Sequence, residues 1–281
     1  LRAFKAGYFA ILYNFIVMGW VINAMASVVS VMLNMDKWTA VWLCVIIALV
    51  YAILSGFWGV VVTDLVQFVI AMFGSIALAI IALNYIGGME VLLSKLNELL
   101  GSDIVTDNTL KFIPTITDTG VATQTFWESP FSKFLIFISV MWWSHHGTDG
   151  GGYIIQRMSS AKNERHALLA TLWFNIAHYA LRVWPWIIVA VVSIVMFPII
   201  PSEYSELGVK AGYPLVMNTL LGPGLKGILI VSFLAAFMST IDTHLNWGVS
   251  YFINDIYNRF FKPNETERHF VLVGIIMTVI L

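Results

Sequence analysis

Ser239, Thr240, Asp242, Thr243, His244 and Asn246 sit inside an otherwise apolar run, within the stretch Val231 to Arg259. Polar side chains in hydrocarbon are costly, so such a cluster marks a functional site by default. On a helix, Ala236, Ser239, Thr240 and Thr243 follow i, i+3, i+4, i+7 spacing and share one face, with Asp242 and Asn246 at its edge. Hydroxyl and carboxylate oxygens beside small residues are what a hard cation needs once it has shed its water. The competing reading is a small-residue stripe for close helix packing. The intramembrane acid Asp242 favours the cation.

Three other groups carry chemistry-bearing residues. Thr63 and Asp64, with Gln67 one turn on, follow a turn marked by Gly56 and Gly59. There the plain reading is a helix start, Thr63 as N-cap and Asp64 in the first turn. Trp142, Trp143, His145 and His146 precede the glycines at 150–152. Glycines interrupting an apolar segment near polar groups are what transporters use at a binding site; the tryptophans serve equally as core or interface anchors. His145 and Asp149 lie one turn apart, but no His-Glu-x-x-His motif accompanies them, which argues against zinc. His178 and Arg182 lie one turn apart in a further apolar segment. A core histidine and a snorkelling or carboxylate-paired arginine compete there with a solute contact.

The elements that must hold these groups are membrane helices. The chain has 281 residues, 59% of them hydrophobic and 11% charged, with a mean hydropathy of +0.84. Soluble domains carry roughly 25% charged residues, so a single-core soluble enzyme is excluded and an all-α polytopic bundle in a lipid bilayer is expected. A net charge of −1 gives no reason to expect nucleic acid. The lone Cys44 rules out a disulfide framework. A span needs about 20 apolar residues, and candidates run over Tyr8–Leu33, Trp38–Leu54, Leu65–Ile86, Phe131–Thr148, Ala167–Phe197, Leu225–Tyr251 and onward from Phe270. The Trp184-Pro185-Trp186 triplet should kink the fifth. Arg2 and Lys5, then Arg157, Lys162 and Arg165, then Arg259, Lys262 and Arg268 fall on one side, which the lysine/arginine bias makes cytoplasmic. The loops 87–130 and 198–224 are then external, and Val91–Leu100 in the first suits a short surface helix. The start at Leu1 and the end inside an apolar run are read as an internal stretch of a longer protein.

Two motifs carry a family resemblance. AAFMSTIDTHLN followed by NDIYNR resembles the signature helix of the sodium:solute symporter family. The run from Tyr51 through Ser55-Gly56 and Gly59 to Thr63-Asp64-x-x-Gln67 is similar to a second motif of that family, with Ser55 where a glycine is usual. Gln156-Arg157 with Lys162 resembles its cytoplasmic turn. The resemblance implies a LeuT-type inverted-repeat fold. Residues 1–281 would then be a single transmembrane transporter domain, partial, holding core helices about three to nine, in a multi-pass protein of the cell membrane.

It further implies Na+ as the coupling ion, bound by the Ala236 carbonyl, Ser239 and Thr240, with Asp64 on the cytoplasmic sodium path. Asp242 and Thr243 with Asp64 are expected to form a second cation site. Trp142, Trp143, His145 and His146 are solute candidates. Counting from Gln156-Arg157, His178 falls where sugar-transporting members use a lysine. The expected function is symport of a sugar, sugar acid or amino acid by alternating access, without enzymatic catalysis. The alternative is a symporter-like sensor module feeding a signalling domain.

Overall fold

The architecture is that of a computed structural model, which describes residues 1–54, 57–99, 105, 108, 111–116, 126–141, 151–263 and 265–281. Along the chain run α1 (Arg2–Leu33), α2 (Lys37–Leu54), α3 (Phe57–Ile86) and α4 (Met89–Glu98). Then come α5 (Pro130–Met141), α6 (Gly151–Ser159), α7 (Glu164–Met196) and α8 (Gly212–Leu220). The last two are α9 (Pro223–Phe261) and α10 (Glu267–Ile280). The all-α expectation holds, and no multi-residue strand occurs among the described residues. Helices α1, α7 and α9, and α3 from Asp64 onward, are long and apolar enough to cross a membrane.

Local chemistry sets the helix ends. The Asp36 carboxylate accepts from the Trp38 and Thr39 amides at 2.9 and 3.1 Å, capping α2. The Thr39 hydroxyl adds a further bond and, with those amides, holds the Asp36 carboxyl below its usual range. Asn163 caps α7 by accepting from the His166 amide at 3.0 Å, and Ser129 caps α5 just ahead of Pro130. Asn34, left-handed at φ 51°, closes α1. Gly87 and Gly88, at φ 104° and 99°, end α3 in a conformation that side chains resist.

Two sequence expectations shift. Helix α3 begins at Phe57, so Gly59 lies within it and Thr63 is not its cap; Ser55 and Gly56 lie outside the described residues. Helix α7 continues through Pro185, and its wide-turned stretch is Ile176–Leu181, where the Arg182 amide bonds the Ala177 carbonyl at 3.0 Å. That stretch ends at Leu181, four residues before Pro185, where a proline removes the helical bond.

Residues 1–79 with 200–281 form one compact unit, and 80–199 a second. In the first, Met18, Met25, Ala26 and Val29 of α1, Ala40, Cys44 and Ala48 of α2, and Phe237, Ile241 and Leu245 of α9 make a buried apolar core. Helix α10 lies against α2 and α9, and α8 against α1. Tyr213 of α8 meets the Phe233 ring of α9 at 5.7 Å. Burial pushes its phenol well up, beside the Ser75 hydroxyl. In the second unit, α4 buries Leu92 and Leu96, one turn apart, and packs on the Val183–Met196 part of α7.

Candidate functional site

Phe237, Ile241 and Leu245 are spaced by four and bind α9 to the core. At about 100° per residue, Ala236, Ser239, Thr240 and Thr243 fall on the other side of the helix. Ser239, Thr240 and Thr243 are half-buried and Ala236 is exposed. Asp242, between the two sides, is 1% exposed, so its carboxylate is inside the protein and not on a lipid-facing edge.

The hydroxyls on this helix differ in what they bond. Thr240 Oγ1 donates to the Ala236 carbonyl at 2.8 Å, as Ser232 does to Ile228 and, on α3, Ser75 to Ala71. Such back-bonding satisfies a hydroxyl donor in an apolar setting while leaving oxygen lone pairs free. Ser239 has no hydrogen-bond partner among the described residues. The Ser239 and Thr240 oxygens are therefore adjacent hard donors with lone pairs to spare, while the Ala236 carbonyl one turn back already accepts the Thr240 hydroxyl.

Asp64 lies on α3, beyond its first turn, half-buried with Oδ1 shielded. With helix start now at Phe57, capping no longer explains it. Gln67, one turn on, has a buried Oε1 with no hydrogen-bond partner among the described residues. Helices α3 and α9 approach closely at Gly74, where a Cβ would lie 2.4 Å from Leu229 Cδ1 and 3.8 Å from Ser232 Oγ.

Sequence reasoning missed one cluster. His244 is buried, and its Nδ1 pairs with Asn14 Oδ1 at 2.9 Å. Asn14 Nδ2 donates to the His244 carbonyl at 2.9 Å and to the Ala10 carbonyl at 3.3 Å. Trp247 packs near Phe9, Tyr13 and Tyr251. Gly248 permits the contact, because a Cβ there would lie 2.3 Å from Asn14 Nδ2. The available signal was Asn14 itself, an amide inside the first apolar run. Farther along, Asp255 of α9 is ion-paired with Arg2.

Trp142, Trp143, His145 and His146 lie outside the described residues. Gly151 and Gly152, expected to interrupt a helix, begin α6. His178 lies in the wide-turned part of α7, stacked on Phe174 at 5.1 Å, and Arg182 Nη2 reaches its Nε2 at 3.3 Å. Among the described residues, no cluster of His, Cys, Asp and Glu could hold a metal ion.

The sodium:solute symporter family model matches residues 5–281. The chain is 26% identical over 272 residues to the sodium/mannose cotransporter SLC5A10 of Bos taurus, which covers 91% of this chain and 44% of that protein. It is 25% identical over 306 residues to sodium/glucose cotransporter 1 of Ovis aries, covering 96% of this chain and 43% of that one. It thus spans less than half the length of these relatives. Its fold is similar to that of a Na+-coupled sialic acid symporter solved in a substrate-bound outward-open state, with a TM-score of 0.62 at 17% identity. That match covers 98% of this chain and 56% of the other. It bears out the expected LeuT-type bundle.

Proposed function

We propose that this chain, which belongs to the sodium:solute symporter family, is part of a symporter that moves a small polar organic solute with Na+ by alternating access. It is an integral membrane protein. We read it as multi-pass in the cell membrane, with both compact units belonging to one transporter domain and loops 87–130 and 198–224 external.

The carrying observation is the pair Ser239 and Thr240 on the side of α9 away from the apolar core. One hydroxyl is unpartnered and the other bonded only to its own helix. In the proposal, sodium binds the Ala236 carbonyl, Ser239 and Thr240. Bound sodium favours the solute-competent state, and by linkage solute tightens sodium equally.

Asp242 and Thr243 with Asp64 form the proposed second cation site. The close approach at Gly74 supports it. Counted at about 1.5 Å per residue, Asp64 lies roughly 15 Å from that point along α3, and Asp242 roughly 15–20 Å along α9. With the antiparallel course that the proposed topology gives these helices, the two acids would come to one depth. Trp142, Trp143, His145, His146 and His178 are the proposed solute contacts.

Uptake by the full-length protein is the test. Ser239→Ala with Thr240→Ala should abolish or right-shift the sodium dependence; unchanged dependence defeats the assignment. Asp242→Asn should alter the sodium Hill coefficient or the pH dependence, and no change in either removes the second site.

A further inference from the structure

Arg182 stands near the middle of α7. It is 18 residues from Glu164 and 14 from Met196, roughly 27 and 21 Å along the axis. Snorkelling to either surface is out of reach of one side chain. The residue lies on the protein-facing stripe of the helix. His178, Arg182, Pro185, Val189 and Val192 recur at spacings of three and four, and the last three of these are buried. Tyr179 and Ile187, on other faces, are 64% and 55% exposed.

Its guanidinium is held by neutral groups. A guanidinium only donates, so the 3.3 Å contact makes His178 Nε2 the acceptor and leaves the imidazole proton on Nδ1. The guanidinium carbon lies 5.0 Å from the Trp186 ring centroid. Among the described residues no carboxylate stands within ion-pair distance of Arg182, and its buried Nε–H has no acceptor. The adjoining Ile176–Leu181 stretch is wide-turned, an irregularity that recurs at functional sites.

We propose that Arg182 is the anchor for a carboxylate on the transported solute, so that the cargo class is an organic acid, such as a sugar acid, and not a neutral sugar. The inference rests on the symport reading above. Nη2 spends one of its two hydrogens on His178, and the other shares an edge of the planar guanidinium with Nε–H or with Nη1–H, so a two-donor fork remains for the two oxygens of a carboxylate. Trp186 flanks the guanidinium face, and His178 orients its far side. Among the described residues only the neutral histidine and ring groups face Arg182, and no carboxylate offsets its positive charge before an anion arrives.

The experiment uses the full-length protein in proteoliposomes under an inward sodium gradient. Glucuronate and glucose, then N-acetylneuraminate and N-acetylmannosamine, are applied as pairs differing in the acid group. Transport and thermal stabilisation, each with and without sodium, are the readouts. At least one acid should outperform its neutral counterpart by about tenfold or more. Arg182→Gln should erase that advantage. Arg182→Lys, which keeps the charge without the fork, should fall between and serves where the glutamine variant does not fold. Preference for the neutral sugars, no response to either acid, or acid selectivity unchanged in Arg182→Lys overturns the proposal. Loss of all sodium effects, with acid stabilisation still dependent on Arg182, would instead sink the symport reading and leave the anion anchor standing.

Discussion

Helix α9 carries two polar clusters barely a turn apart, handled in opposite ways. Around His244 the described contacts close inward: Asn14 bonds both the ring and the backbone of that residue, and Gly248 makes room for it. Around Ser239 the oxygens remain available, one unpartnered and one bonded to its own helix. The same residue types inside hydrocarbon thus serve two ends. Hydrogen-bonded groups fix one helix against another, and the groups with spare lone pairs are the ones proposed above to take the cation. Polarity in a membrane helix is only the first clue; the state of its hydrogen bonds distinguishes the roles.

The contrast breaks most directly at Gly248. Gly248→Val puts side-chain atoms into the Asn14 amide, adding overpacking to the loss of buried hydrogen bonds. It should cost about 3 kcal/mol or more in detergent-solubilised thermal unfolding. Asn14→Leu should come next, at about 1–3 kcal/mol, by removing the Asn14 bonds to the His244 ring and carbonyl, with the sodium dependence of uptake retained. Ser239→Ala should do the reverse. Its melting temperature should stay close to wild type while apparent sodium affinity falls about tenfold, or about 1.4 kcal/mol. If Asn14→Leu alters sodium affinity as much as Ser239→Ala does, the two clusters are one site.

The smallest effect is expected at Asp36, far from both clusters. Asp36→Ala should lower the melting temperature slightly by uncapping α2. Because the folded carboxyl sits below its usual range, its contribution is present above the unfolded value near 4. It fades as pH falls through the folded value, and the alanine variant should lack that acid-side loss.

Much of this was legible in the chain because hydrocarbon demands long apolar runs. The Leu65–Ile86 segment sits within α3, and the Val91–Leu100 surface helix differs from α4 by two residues at each end. The spacing of Ala236, Ser239, Thr240 and Thr243 also identified the side of α9 away from the core. Partners were not legible. Asn14 and His244 are 230 positions apart, and periodicity reports a face without saying what meets it. Thr63-Asp64 read as a helix start because caps are local patterns; the helix begins upstream at Phe57. Pro185 was visible, but the wide turns of α7 lie upstream of it and end at Leu181, whose carbonyl a proline at 185 cannot bond.

The Arg2–Asp255 ion pair gains meaning beside the Asn14–His244 bonds. Helices α1 and α9 are riveted twice, at points on the order of 16 Å apart along α9. A beam fixed by two rivets cannot swivel on its neighbour. In the alternating access proposed above, these two helices would travel together, as a single plank, with the hinge elsewhere.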